Sequence, residues 1–169
     1  MKKLVGLLAL TSLFFGAASA QTADVDSRVQ VIQDYYEAYA SGDLNNLRPF
    51  FADDIVWRIP GEHPLAGDKR GADEVLAFFE QLGESGFGAE TLALAVDPET
   101  GWVIDLHRGY STTGEEPQLD ITWALAFRVE DGQIQEAINF AFDQAAANAF
   151  FWNNYDLKPL PERLAEEGQ

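Results

Sequence analysis

Asp105 and His107 are the residues of this chain whose types and spacing best suit acid–base catalysis. They stand two positions apart in WVIDLHRGY, residues 102–110, which alternates like a β-strand, so both side chains point to one face. A carboxylate beside an imidazole fixes its tautomer and orientation, as general acid–base catalysis requires. The larger apolar residues, Ile104 and Leu106 among them, point the other way. We therefore expect the pair on the solvated side of a sheet, with acid–base catalysis as the alternative.

His63 is a second candidate. It follows Glu62 in GEHPLAGDKR, residues 61–70, a segment rich in glycine, proline and charge that is typical of a loop. At the mouth of a pocket its imidazole would steer or protonate a ligand, but a loop histidine is more often exposed. We expect an exposed side chain, with a ligand contact as the alternative.

The composition excludes several other kinds of site. Two histidines and no cysteine give none of the spacings typical of metal sites, and no GxSxG motif occurs, so we predict no metal, no cofactor and no Ser-His-Asp hydrolase. The net charge of −17 disfavours nucleic acid and anionic membranes as partners. The chain also has 12 Phe, 5 Tyr and 4 Trp, more aromatic bulk than a minimal core needs, and part of it is expected to line a cavity.

The N-terminus has the pattern of a cleaved export signal. A basic start, a short apolar run and ASA before Gln21 predict a signal peptide at residues 1–20. We expect a soluble periplasmic or secreted protein, with one domain at residues 21–155. Residues 156–169 are acidic and contain prolines, which predicts a loose tail.

The periodicity changes once along the chain. Before residue 84 it favours helices, with one short strand at 55–59; the helices are predicted at 26–41, 44–52 and 72–83. After residue 90 it favours strands, predicted at 91–96, 102–110, 120–129 and 133–142, and a short final helix at 143–154. Helices followed by a strand meander predict an α+β fold, with the helices packed on one face of a mostly antiparallel sheet.

Two strands present continuous apolar faces, and we expect both to face the helices. The face in residues 119–129 comprises Leu119, Ile121, Trp123, Leu125, Phe127 and Val129. The face in residues 55–59 comprises Ile55, Trp57 and Ile59. The opposite face of the first of these strands carries the small residues Ala124 and Ala126, which would permit close approach of a second subunit.

Two long segments resemble one known family. YYEAYASGDLNNLRPFFADDIVWRIPGEHPLAGDKRGADEVLAFF, residues 35–79, and INFAFDQAAANAFFW, residues 138–152, resemble SnoaL-like proteins of the nuclear transport factor 2-like (ketosteroid isomerase-like) superfamily. The resemblance implies a cone, in which a curved antiparallel sheet wraps around the N-terminal helices and encloses an apolar cavity. Trp57 would then project into the cone, and residues 61–70 would form its rim.

The resemblance also implies positions for individual residues. The hydrogen-bond donor of the ketosteroid isomerases falls on Tyr35, but their general base falls on Ile59 and their assisting acid near Leu125. Because an aliphatic side chain accepts no proton, enolisation by that mechanism is not expected. The comparison turns four further residues toward the cone, namely Ala137, Asn139, Ala141 and Asp143.

Two other branches of the superfamily remain open. The epoxide hydrolases need an arginine between two carboxylates. The alternation of side chains along the strands does not bring Asp105, Arg108 and Asp120 together on one inward face. The polyketide cyclases use an Asp/His pairing, which keeps Asp105 and His107 as candidates.

We therefore predict that the cone binds a small, largely apolar or cyclic molecule. The predicted lining is Tyr35, Trp57, Ile59, Trp123, Leu125 and Asn139, with His63 at the rim. In the enzyme alternative, Asp143 or the pair Asp105 and His107 acts on a cyclic or polyketide-like substrate, as in an isomerase, cyclase or hydrolase. In the structural alternative, the chain is a noncatalytic homodimer joined through its outer sheet face, and its own side chains fill the cone.

Overall fold

The computed structural model of the chain describes residues 26–114 and 118–153. The predicted signal peptide and C-terminal tail lie outside these residues. The elements are α1 (Ser27–Ala40), a 3₁₀ helix (Leu44–Phe50), β1 (Phe51–Ile59), β2 (Gly67–Arg70), α2 (Gly71–Glu84), β3 (Phe87–Val96), β4 (Trp102–Ser111), β5 (Asp120–Glu130), β6 (Gln133–Ala141) and α3 (Gln144–Asn153). Every predicted helix and strand is present, and β2 is an addition within the predicted loop 61–70.

The strands form one curved, unclosed sheet in the order β2-β1-β6-β5-β4-β3. All neighbours are antiparallel except β1 and β6, which are parallel. The register shifts at three places, one of them between Thr91 and Ala93 on β3, and such bulges bend a sheet. The predicted α+β cone is therefore confirmed, with one parallel pair in the sheet.

Local capping explains where the first two helices begin. Asp26 accepts a hydrogen bond from the backbone nitrogen of Arg28 at 3.0 Å, and Asp43 accepts one from that of Asn45 at 3.0 Å. Pro49 lies inside the second helix, which stays in the 3₁₀ form, because proline lacks the N–H that an α-helix interior requires. Among the described residues, no helix is both long and apolar enough to cross a membrane.

The core consists mainly of aromatic rings between the helices and the inner face of the sheet. The ring of Trp57 on β1 contacts Phe79 on α2 and Phe127 on β5, with centroid distances of 5.1 and 5.8 Å. The predicted apolar faces of residues 55–59 and 119–129 do point inward. These rings fix the sheet against α1 and α2, and the cavity begins beside them.

Candidate functional site

A cavity of about 320 Å³ lies between the inner face of the sheet and the three α-helices. Aromatic and aliphatic side chains form most of its wall. All seven residues predicted to contact a ligand line it, namely Tyr35, Trp57, Ile59, His63, Trp123, Leu125 and Asn139. The tryptophans therefore border the space without filling it.

Asp105 and His107 lie on the wall of this cavity, with exposed fractions of only 1% and 5%. Nδ1 of His107 is 2.7 Å from Oδ2 of Asp105. The hydroxyl of Tyr36, on α1, donates to the same oxygen at 2.8 Å. Three side chains from α1 and β4 thus form one hydrogen-bonded chain beside the cavity.

The hydrogen bonds of Asp105 determine which nitrogen of His107 is free to accept a proton. Because Oδ2 of Asp105 accepts from Tyr36 and a carboxylate oxygen is an acceptor, Nδ1 of His107 must carry the ring proton. In neutral His107 the other nitrogen, Nε2, is then the basic one. Nε2 makes no hydrogen bond with any described residue.

The expected orientation of β4 is therefore wrong. Asp105 and His107 face the interior, whereas Ile104 and Leu106 point outward and are each 40% exposed. The physical reason is that Tyr36 supplies a hydrogen-bond donor inside, so the carboxylate and imidazole are compatible with burial. Alternation alone identifies the residues that share a face, not the face that is buried.

Tyr36 is the residue that sequence reasoning missed. Burial and the neighbouring Asp105 raise the pKa of Tyr36, so its phenol stays protonated and donates to Asp105. Tyr35, chosen from the resemblance, is a buried ring in the aromatic core, 5.9 Å from the ring of Phe51. The adjacent tyrosines were a signal, since a buried hydroxyl needs a partner.

Asn139 and Asp143, both expected to face the cone, make different hydrogen bonds. Oδ1 of Asn139 accepts from Nε1 of Trp57 at 3.2 Å. Asp143 is exposed, and its Oδ1 accepts from the backbone nitrogen of Ala146 at 2.9 Å, which caps α3. Asp143 does not line the cavity, so its position gives no support to an acid–base role.

His63 is buried, contrary to the expected exposure, and its ring lies 4.7 Å from that of Phe151 on α3. Burial lowers the pKa of His63 to about 4, so the imidazole is neutral near pH 7. Helix α3 holds this loop in place: the backbone nitrogen of Glu62 donates to Oδ1 of Asn148 at 3.1 Å, and Nε1 of Trp152 donates to the carbonyl of Glu62. The rim of the cavity is thus an ordered part of its wall.

Other chemistries find little support within residues 26–114 and 118–153. No group of three or more His, Cys, Asp or Glu side chains in this part of the chain is arranged to hold a metal ion. Arg108 pairs with Asp120 through Nε and Oδ1 at 2.7 Å, and both side chains are exposed, away from Asp105. The arrangement required by the epoxide hydrolase branch is therefore absent from this region.

Comparison with known proteins agrees with this architecture. A family model described as SnoaL-like domain matches residues 32–137. The Mycobacterium tuberculosis protein Rv0034 is 30% identical over 128 residues, which cover 75% of this chain and 97% of that protein.

Two solved structures extend the comparison. Bal32a, from a soil-derived mobile gene cassette, is 27% identical with a TM-score of 0.66, covering 74% of this chain and 96% of its own. A protein described as a SnoaL-like polyketide cyclase from Jannaschia sp. CCS1 is 17% identical, with a TM-score of 0.59 and coverage of 73% and 91%; this likeness shows the fold alone.

Proposed function

This chain belongs to the SnoaL-like family, and from that premise we propose that it binds a small, largely apolar ring compound in its cavity and transfers a proton on it. The single observation that carries the proposal is the hydrogen-bonded chain of Tyr36, Asp105 and His107 on the cavity wall. Burying polar groups costs free energy. A protein that only bound an apolar molecule would gain nothing from three buried polar side chains in the wall of its cavity.

The cavity supports the binding part of the proposal. Its volume of about 320 Å³ lies at the lower end of the range for small-molecule sites. A wall of rings and aliphatic groups suits a flat apolar ligand, and the few polar groups would orient it. A noncatalytic assembly module whose own side chains fill the cone would have no such space.

The proton transfer follows from the tautomer of His107. Nε2 takes a proton from a ligand carbon that is next to a carbonyl group, and the electron pair of the broken C–H bond moves onto the carbonyl oxygen, giving an enolate. Asp105 stabilises the imidazolium that forms, and Tyr36 holds Asp105 in place. The imidazolium then returns the proton to another atom of the ligand, so that proton and charge balance without an external reactant.

An isomerase or a cyclase fits this scheme better than a hydrolase. A hydrolase of the epoxide type needs an arginine and two carboxylates around a water molecule, and Arg108 with Asp120 lies on the outer surface. We propose a polyketide-like molecule as the substrate of this activity, because the pairing of Asp105 with His107 resembles the Asp/His pairing of the polyketide cyclase branch.

We also propose that the chain forms a homodimer through the outer face of β3–β6. Phe140 and Phe142 are 53% and 88% exposed. Ile104 and Leu106 lie on the same outer face, on the other side of Ala124 and Ala126 of β5. Four strands of about ten residues present roughly 600 Å², close to the ~800 Å² per partner of a typical interface. In a chain of net charge −17, an apolar face is where two copies can approach without strong repulsion.

Export is part of the proposed function as well, since residues 1–20 have the pattern of a signal peptide. In a host that processes the signal, intact-mass measurement of the mature protein should give a chain that begins at Gln21. A mature protein that retains residues 1–20 would contradict this part.

Native mass spectrometry of the protein purified from its own host tests the binding proposal. We expect a retained small molecule that dissociates under gentle activation. Leu125→Trp should abolish the retained mass because it fills the cavity, whereas Leu92→Trp, at an exposed position, should keep it. If the wild-type protein and Leu125→Trp carry the same molecule, its site is not this cavity.

A further inference from the structure

The imidazole of His107 has a second neighbour besides Asp105. His107 on β4 and Trp123 on β5 lie directly opposite each other in the sheet, so both side chains stand on its inner face. Their ring planes differ by only 2°, and their centroids are 6.4 Å apart. This is the offset-parallel arrangement that aromatic pairs favour. The indole therefore lies alongside the ring of the proposed base.

Gly109 provides the space in which the indole lies. It follows His107 by two positions on β4 and so shares the inner face. A Cβ at Gly109 would overlap Nε1 of Trp123 and come within 2.8 Å of Cε2 of Phe87. The backbone of Gly109 is outside the left-handed region, so the glycine is required by this space and not by its conformation.

Phe87 on β3 restrains the indole from the other direction. Its ring meets the indole edge-on, with an interplanar angle of 84° and a centroid distance of 5.8 Å. Trp123 is only 5% exposed. A side chain packed between a glycine and a ring edge in this way has little room to change its rotamer. The indole is thus a fixed surface beside His107.

The hydrogen bond to Asp105 does not by itself orient the imidazole. It fixes Nδ1 of His107 at 2.7 Å from Oδ2. The ring can still tilt about this bond, because the χ2 torsion of histidine has a broad energy minimum. Tilting moves Nε2, and a misplacement of about 1 Å at a catalytic group can cost about 100-fold in rate. A parallel ring alongside limits the tilt.

The distance between the two rings also shows how the indole acts. At 6.4 Å the centroids are beyond the roughly 6 Å over which a cation–π interaction is effective. The indole therefore acts on the orientation of the imidazole and not on its charge.

We propose that Trp123 is a positioning residue for His107: its indole, lying over Gly109, holds the plane of the imidazole and with it the direction of Nε2. This inference rests on the proposed function and adds a residue to it. Asp105, His107 and Gly109 alternate along one face of β4 and serve the same task. Asp105 fixes Nδ1, and Gly109 admits the ring that fixes the plane.

The mobility of the His107 ring tests this inference without any substrate. Carbon-13 relaxation of the Cδ2–Hδ2 bond should give an order parameter of about 0.85 in the wild-type protein. In Gly109→Ala, which displaces the indole, and in Trp123→Val, which removes it, we expect values below about 0.6. Circular dichroism verifies the fold of each variant, and Trp123→Val adds no atoms to the site.

Two control variants should keep the wild-type order parameter. Gly83→Ala makes the same change at a glycine in α2 whose Cβ position has no atom within 4 Å. Trp102→Phe alters a tryptophan of β4 that does not line the cavity and alternates to the opposite face from His107.

The rate of proton transfer provides a second measurement. Deuterium exchange at C1 of 2-tetralone is followed at increasing concentrations of the ketone. We expect Gly109→Ala to lower the maximal rate about tenfold. The concentration for half-maximal rate should stay within about twofold, because Gly109 does not line the cavity. A residue that served binding would change this concentration instead.

The possible failures are distinguishable. Unchanged order parameters in both Gly109→Ala and Trp123→Val, or a mobile His107 ring in the wild-type protein, would overturn the positioning role even if the protein is catalytic. A raised half-saturating concentration with an unchanged maximal rate would overturn it as well. If the wild-type protein accelerates no exchange but both variants loosen the ring, the proposed catalysis falls while the hold of Trp123 on His107 stands.

Discussion

The hydroxyl of Tyr36 on α1 donates to Oδ2 of Asp105 on β4 at 2.8 Å, across 69 positions of sequence. This bond joins the first helix to the inner face of the sheet at the point where His107 also contacts Asp105. It combines a structural role, since it pairs a buried carboxylate, with a role in fixing the orientation of the proposed base.

Removing this hydroxyl should therefore weaken the fold. We expect Tyr36→Phe to lower the free energy of unfolding by about 1–3 kcal/mol, because Oδ2 loses a donor inside the protein. Tyr39→Phe is the matched control, because Tyr39 lies one turn further along α1, its ring packs on Phe79 and its hydroxyl bonds to no described residue. Urea unfolding followed by circular dichroism measures both. If both variants lost the same free energy of unfolding, the hydrogen bond from Tyr36 to Asp105 would make no measurable contribution to stability.

Gly109 should be intolerant of any side chain. A Cβ there would overlap the indole of Trp123 and crowd Phe87, so Gly109→Ala should destabilise the protein by about 1–3 kcal/mol. Gly83, in α2, has no atom within 4 Å of its own Cβ position. Gly83→Ala should be neutral or stabilising by up to about 1 kcal/mol. Thermal melts measure both variants, and Gly109→Ala should have the lower Tm. A Tm of Gly109→Ala equal to or above that of Gly83→Ala would show that the indole is free to move aside.

His63 should make the stability depend on pH. Its pKa is about 4 in the folded chain against 6.5 when unperturbed, because burial and the nearby Lys69 disfavour the imidazolium. Between these values the unfolded chain binds a proton that the native chain does not. The free energy of unfolding is therefore unaffected by His63 above pH 6.5, and it falls as the pH is lowered from 6.5 toward 4.

The variant His63→Asn isolates this effect. Between pH 7 and pH 5 the wild-type protein should lose about 1–2 kcal/mol more of its free energy of unfolding than the variant loses, after allowance for partial solvation. Urea titrations at the two pH values measure the difference. The same loss in both proteins would show that His63 is protonated or exposed to solvent in the native protein.

The outer sheet face should control the oligomeric state. Phe140→Asp introduces a charge among exposed apolar side chains, and we expect it to convert a dimer into a monomer with an unchanged fold. Glu80→Gln, at an exposed position on α2, is the control. Sedimentation equilibrium distinguishes the species. A wild-type protein that is monomeric at all accessible concentrations would refute the dimer.

Sequence patterns predicted most of the elements, because helical and strand periodicities are local properties. Trp57, Trp123 and Phe127 point inward, as the alternation of their strands predicts. The face of β4 could not be assigned in this way. Its polar residues are buried only because Tyr36 meets them from another element, and a long-range contact of this kind leaves no periodic signal.

Two smaller differences have local causes. Residues 67–70 contain a glycine and three charged residues and no strongly strand-forming type, yet they form β2 as an edge strand, where Arg58 pairs with Asp68 at 2.9 Å. Asp143 directly precedes a run of helix-forming residues, so its capping role could have been predicted from the sequence.

The central claim is that His107 acts as a base toward a ring compound bound in the cavity. Deuterium exchange at C1 of 2-tetralone in D₂O, followed by proton NMR, measures this directly. We expect the wild-type protein to accelerate exchange about 100-fold over His107→Asn, while Arg108→Gln on the outer face keeps the wild-type rate. Equal exchange rates for the wild-type protein and His107→Asn would contradict the claim.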